Sequence, residues 1–347
     1  MTRSAKLWMS WSAVAGLASV PLWMDSLYVL HILIIAGIFI IAAMSLNLLL
    51  GYTGQLSLGH VAFFGIGAYA SALLSLGFEV TIWPIGPVAV ARQPVWLAML
   101  CAVAITGLCG WVIGKLAFRV RGAYFVIVSI SFAEVVRLIA VNWVELTQGP
   151  MALTNIPHLT LASPGLFTLS FLKKPANYWL VLAVGVASFI IIKRLVESRT
   201  GRALIALREN ESLALSVGID VTRSLVIATV VAAAMAGAAG AIYAHYLRIV
   251  DPDVFLFTYT VTMVIMVVAG GKGTLWGPIV GGIIFGLLPE LLRALAFRAE
   301  LQWVAYGVLM IAIVSFLPNG IVPAISGRLS SRRRAAATRS AAAEVAT

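Results

Sequence analysis

The sequence predicts an all-α fold: a polytopic transmembrane helical bundle of about ten spans, with both termini cytoplasmic and glycine-broken segments in both halves. Three observations lead there. First, 61% of the 347 residues are hydrophobic and only 11% are charged, and the mean hydropathy of +1.02 lies far above that of water-soluble domains. Second, the apolar runs are long enough to matter: a bilayer core of about 30 Å takes about 20 residues as a helix. Runs such as SLVIATVVAAAMAGAAGAIYAHYL lack the polar alternation of barrel strands, so helices are the reading. Third, the basic residues segregate to one side of the spans, as described below.

The expected spans are roughly 7–23, 27–49, 59–78, 96–114, 122–142, 178–194, 224–247, 254–269, 276–291 and 301–318. With the N-terminus placed inside, the inner links collect 17 of the 24 Lys and Arg, the outer links 6, and Arg137 lies within a span. That asymmetry sets the orientation. It also accounts for the net charge of +11, which in a soluble protein would suggest nucleic acid and here does not.

Three regions follow. Residues 1–26 form an N-terminal segment whose LWMSWSAVAGLASVPLW run resembles a signal sequence in length. It has no clear cleavage site, and Trp8, Trp11 and Trp23 are suited to the interface, so a retained helix is expected. Residues 27–322 form the transmembrane domain, with a charged cytoplasmic loop at 195–223. Residues 323–347 form a basic tail, expected to be disordered and drawn to anionic headgroups.

Within the transmembrane domain, the outer links 79–95 and 143–177 are proline-broken and expected to be either a lid or docking surface or simple connecting loops. Cys101 and Cys109 fall eight residues apart on one helix, about 12 Å by helical rise, which excludes a disulfide between them.

The first glycine break, GYTGQLSLGH, carries Gly51, Thr53, Gly54, Gln55, Ser57, Gly59 and His60. Irregular backbone at membrane depth is tolerated only inside protein or beside water, so a pathway or gating role is the reading, with Asn47 beside it. The second break, GGKGTLWGPIVGGIIFG, repeats glycine every four residues at Gly273, Gly277 and Gly281, the spacing of close helix packing. Paired breaks in two halves are also the signature of transporters built from repeats.

Glu134 and Arg137 lie three apart on one helical face, about 20 Å in from Arg121 by helical rise. Charges at that depth usually face the bundle interior, which makes the pair either a pathway element or a helix-locking ion pair. The loop between Gly201 and Gly218 has Leu204, Leu207, Leu213, Leu215 and Val217 at the spacing of one short amphipathic helix. It is suited to docking a soluble partner or to lying on the membrane surface. Around Lys272, a phosphate-binding loop would need glycine where Met266 stands and Ser or Thr where Gly273 stands. No metal-ligand or nucleophile spacing occurs either, so no enzyme is expected.

Three stretches together resemble a known family: LNLLLGYTGQLSLGHVAFFGIGAYASALL, GRALIALRENESLALSVGID and GGKGTLWGPIVGG. They look like the LivM-like permease subunits of bacterial branched-chain amino acid ABC importers, and FAEVVRLIAVNWVELTQGPMALTNIP is similar to the segment that marks this member of the two-permease pair. The resemblance implies that Gly201, Arg202, Arg208, Glu209, Asn210, Glu211 and Gly218 couple the chain to ATPase subunits, which would bind ATP and Mg in its place. It further implies a second homologous permease, two cytoplasmic ATPases, a periplasmic or lipid-anchored binding protein, and the bacterial inner membrane as location. The chain departs from the family pattern at Lys272, where an uncharged residue is more usual, and at Gln148 and Ala152, where glycine is more typical. Urea, short amides or aromatic acids are the nearer alternative substrates. An ion-driven secondary transporter built on Glu134 is the alternative of another class.

Overall fold

The computed structural model describes residues 16–21, 23, 26–82, 86–118, 123–163, 167–171, 173–294, 299–325 and 327. Most of the expected first span and nearly all of the basic tail lie outside these residues.

Helix α1 (Leu27–Asn47) starts at Ser26, whose hydroxyl accepts the Val29 amide at 3.5 Å. It runs without interruption into a π-helical turn, Leu48–Thr53, which ends where Gly54 adopts φ +75°. Helix α2 (Val61–Leu76) returns across the bundle and stops at Gly77, also at φ +75°. Next come strands β1 (Phe78–Ile82) and β2 (Gly86–Val90), paired antiparallel from Phe78↔Val90 to Ile82↔Gly86.

Helices α3 (Val95–Ala117), α4 (Ala123–Asn142) and the short α5 (Val144–Thr147) follow. A second antiparallel hairpin, β3 (Thr160–Ser163) and β4 (Phe167–Ser170), precedes helix α6 (Lys174–Glu197). Two short helices, α7 (Arg199–Glu209) and α8 (Glu211–Ser216), lead into the long α9 (Val221–Leu247). A 3-10 turn at Pro252–Phe255, then α10 (Phe257–Gly270), α11 (Gly277–Ala294) and α12 (Ala299–Phe316), complete the order.

Among the described residues, five helices are long and apolar enough to cross a membrane: Leu27–Thr53, Val95–Ala117, Tyr124–Asn142, Lys174–Glu197 and Val221–Leu247. Helices α2 and α10 are apolar but shorter, at 16 and 14 residues. The span expected from 254 begins only at Phe257, because Pro252 and its neighbours form the 3-10 turn instead. Both outer links expected as loops contain a hairpin; Pro87, opposite Thr81, is tolerated because a two-stranded sheet has only edges.

Helix α9 is the centre of the bundle, packed along α2, α3 and α1, with 72% of its apolar window buried. Its ten Ala and Gly between 228 and 241 allow this closeness: a methyl at Gly240 would collide with the Phe64 carbonyl of α2, and one at Gly237 with the Thr106 side chain of α3. Helix α1 sits between α6, α9, α10 and α11. At the far end His245 ties the layers together. Its Nδ1 donates to the Pro157 carbonyl at 2.9 Å, so its Nε2 accepts from Ser71 at 2.8 Å.

Two residues that depart from the family pattern gain a structural reason. Gln148 and Ala152 adopt φ +58° and +63°, the left-handed region where glycine is free and other residues are strained.

Candidate functional site

The two glycine breaks meet. Asn47, the last residue of α1 and almost fully buried, points its amide across to the turn between α10 and α11. Its Oδ1 accepts the Gly273 N–H at 2.9 Å, and its Nδ2 donates to the Thr274 carbonyl at 2.9 Å. One planar side chain thus satisfies a donor and an acceptor of a turn 226 residues away that would otherwise be buried without partners. Gly51 stands beside this contact, and a Cβ there would overlap Asn47 Oδ1 and the Gly273 amide.

Helix α7 reaches the same point. Arg208 donates through Nη1 to the Gly51 carbonyl at 2.8 Å, while Nε and Nη2 hold Glu209 at 3.2 and 2.7 Å. A charged donor on a carbonyl is worth about 1.5–3 kcal/mol, and the Gly51 carbonyl is open to it because it lies in the last turn before Gly54, where helix carbonyls have no donor of their own. The Arg208 chain also covers Gly54, and Gly273 at φ +73° leaves room for its guanidinium. Gly273 was expected to pack helices; the structure places it instead in a left-handed turn against Arg208 and Gly51. Gly277 and Gly281 do sit in a seam, where methyls would collide with the carbonyls of Gly271 and Met266.

The rest of the first break is held by side chains on other helices. Thr53 donates to the Leu49 carbonyl at 2.6 Å and accepts the Gln55 amide at 3.2 Å. Ser129 of α4 accepts the amides of Leu58 and Gly59 at 3.1 and 3.3 Å, and Gly59 abuts the Ser129 carbonyl. His60, fully buried, pairs with Ser45 at 2.7 Å, and Thr260 accepts the Val61 amide at 3.3 Å. Ser57 is buried as well. The segment is a fixed re-entry from α1 to α2, with its backbone polar groups distributed over α4 and α10. Ser129, Thr260, Ser45 and Thr274 are not among the residues the sequence points to; a single hydroxyl in an apolar helix carries no periodic signal, and Thr274 contributes a turn carbonyl, which any residue has.

The charged loop is two helices rather than one. Asn210 breaks them with extended backbone and accepts the Leu213 amide at 3.0 Å, capping α8. Gly201 lies inside α7, not at its boundary; Ser198 is the cap, accepting the Gly201 amide at 3.3 Å. Arg202 donates to the Glu197 carbonyl at 3.3 Å. Leu204, Leu207 and Ala214 turn inward, whereas Leu213, Leu215 and Val217 are exposed, with Glu211 on the same short helix and Gly218 closing it at φ +83°. That is an apolar, charge-rimmed surface presented away from the bundle.

Glu134 and Arg137 do not join this junction. They form an ion pair at 2.6 Å, on the outward side of α4 with 51% and 27% of their side chains exposed. Of the two readings, the mutual ion pair is formed, and it does not face the interior of this chain: α4 buries only the stripe of Phe125, Ser129, Ala133 and Ala140, and the pair lies off it. Among the described residues no group of His, Cys, Asp or Glu is arranged to hold a metal ion.

This geometry is that of a helical membrane protein with a charged loop seated on a two-part glycine junction, and comparison with known proteins agrees with it. The profile of the branched-chain amino acid transport system permease component matches residues 28–314. The chain belongs to that family. It is 30% identical over 322 residues to the high-affinity branched-chain amino acid transport system permease protein LivM of Escherichia coli K12, covering 86% of this chain and 71% of the relative. The permease protein LivH of Salmonella typhimurium is 27% identical over 295 residues, 82% of this chain and 91% of the relative. A probable LivM of Methanocaldococcus jannaschii is 24% identical, over 84% of this chain and 92% of its own length. No solved structure matches. The family membership makes the chain an integral membrane permease.

Proposed function

We propose that this chain is the membrane-spanning subunit of an ATP-driven importer in the bacterial cytoplasmic membrane, passing branched-chain or other hydrophobic amino acids delivered by a periplasmic or lipid-anchored binding protein. The names of its relatives support the substrate class. In this reading about ten spans cross the bilayer with both termini cytoplasmic, and a second homologous permease and two cytoplasmic ATPases complete the assembly. ATP and Mg are bound by the ATPases.

The observation that carries the reading is the Arg208 to Gly51 hydrogen bond. The exposed apolar cap of α8 is the docking surface for an ATPase. Its displacement passes along α7 to Arg208, and from there to the end of α1 and, through Asn47, to the α10–α11 turn. One push at the cytoplasmic face therefore reaches both halves of the bundle, which is what rocking between outward- and inward-open states requires. The ion-driven alternative needs Glu134 as a carrier, and its three hydrogen bonds from Arg137 suit it poorly to that task.

The test is affinity purification of the tagged chain in mild detergent with mass spectrometry, followed by uptake of labelled leucine in cells carrying Arg208→Ala. Recovery of a second permease and ATPases, with uptake lowered several-fold in the variant, supports the importer. Recovery of the chain alone with uptake intact in Arg208→Ala overturns it.

A further inference from the structure

Of the five helices long and apolar enough to cross a membrane, two are thinly covered by the rest of the described chain: α4, with 22% of its apolar window buried, and α6, with 17%. Their exposed surfaces differ in chemistry. On α6 the exposed large apolar residues are Trp179, Ile190 and Ile191, with charge only at the two ends, in Lys174 and in Lys193, Arg194 and Glu197. That is a surface hydrocarbon accepts. On α4 the Glu134–Arg137 pair stands in the middle of the exposed side, flanked by Ile127, Val135 and Leu138. Glu134 is about 17 Å from the start of α4 and about 12 Å from its end by helical rise, so it stands near the middle of a bilayer core.

An ion pair at that depth is not left facing lipid; such groups meet protein or a water-filled cavity. The 3-10 turn at Pro252–Phe255 packs beside α4 and brings Asp253 within electrostatic reach of Arg137, so the polar character of the surface is not confined to one pair. Tyr124, Val128, Ser131, Val135, Leu138 and Asn142 are all exposed and follow one another in steps of four and three, the spacing by which one helix receives another. A surface at bilayer depth is reached only by another membrane-spanning chain. Two distinct permeases of one organism, the LivM and LivH proteins of Escherichia coli K12, each resemble this chain over more than four-fifths of its length, so a partner of the same fold is at hand.

We infer that the exposed side of α4, centred on Glu134 and Arg137, is the seam against the second permease, and that α6 faces lipid. The inference rests on the importer reading and fixes which side of this subunit the partner occupies.

The experiment uses the complete assembly in native membranes. A benzophenone-bearing amino acid is incorporated at Leu138 on α4 or, separately, at Ile190 on α6, and the membranes are illuminated before purification. The Leu138 probe is expected to give an adduct with the second permease in at least tenfold higher yield than the Ile190 probe, which labels phospholipid. With the second permease present by mass spectrometry, lipid labelling from Leu138 or a permease adduct from Ile190 overturns the inference and leaves the importer reading standing. Absence of any second permease overturns both. As a second measurement, Glu134→Gln with Arg137→Gln is expected to reduce the second permease retained through detergent purification several-fold; unchanged retention counts against the seam.

Discussion

Gly51 and Gly281 are both glycines because something else occupies the place of a side chain, but the occupants differ. At Gly51 the space is taken by Asn47 Oδ1 and the Gly273 amide, with Arg208 hydrogen-bonded to the Gly51 carbonyl. At Gly281 it is taken by the Met266 carbonyl of the neighbouring helix. The first contact is polar, made of few groups and reaches α7; the second is a close approach of two helix backbones. Under the proposed function, the same composition serves transmission in one place and cohesion in the other.

That contrast can be broken by substitution. Gly51→Val places a branched side chain into the latch and is expected to lower leucine uptake at least tenfold per molecule in the membrane, measured as labelled uptake normalised to immunoblot. Arg208→Ala removes one charged hydrogen bond, about 1.5–3 kcal/mol; uptake falls several-fold while the detergent melting temperature stays nearly constant. Gly281→Val overpacks the α10–α11 seam by about 1–3 kcal/mol, so thermal unfolding in detergent moves down and the amount of protein falls before uptake per molecule does. If Gly281→Val instead reduced specific uptake at unchanged stability, the division between transmission and cohesion would be wrong. Asn210→Ala removes the cap of α8 at about 1 kcal/mol, expected as faster proteolysis of the 199–218 segment with modest loss of uptake. The smallest effect is a gain: Ala152→Gly relieves a left-handed backbone and is expected to raise the melting temperature slightly, the relief of strain being partly offset by the freedom of glycine in the unfolded chain.

Helices α1, α3, α4, α6 and α9 were legible because an unbroken apolar run is itself the signal. The hairpins were not, although FEVTI and GPVAV can be read as short strands, because the prolines around them were taken as breaks and not as edge residues. The division of the 195–223 loop was within reach: Asn210, directly before Glu211, is a capping residue in plain view. Gln148 and Ala152 were noticed only as departures from a pattern, and their positive φ supplies the physics. What no local pattern could give is the meeting of Asn47, Gly51, Arg208 and Gly273, which are distant in sequence and brought together by packing of α1, α7 and α10. Glu134 and Arg137 were recognised as partners three apart on a helix, but which way the helix turns them depends on its neighbours.

The π turn at Leu48–Thr53 also sets a register. It holds a little more chain per turn than α geometry would. Tightening it by one residue would rotate the preceding helix by about 100° and slide it by about 1.5 Å, carrying the Asn47 amide out of line with Gly273 and Thr274. The Asn47 contact and the winding are therefore two readings of one setting: the amide meets both partners at the register that the π turn gives α1.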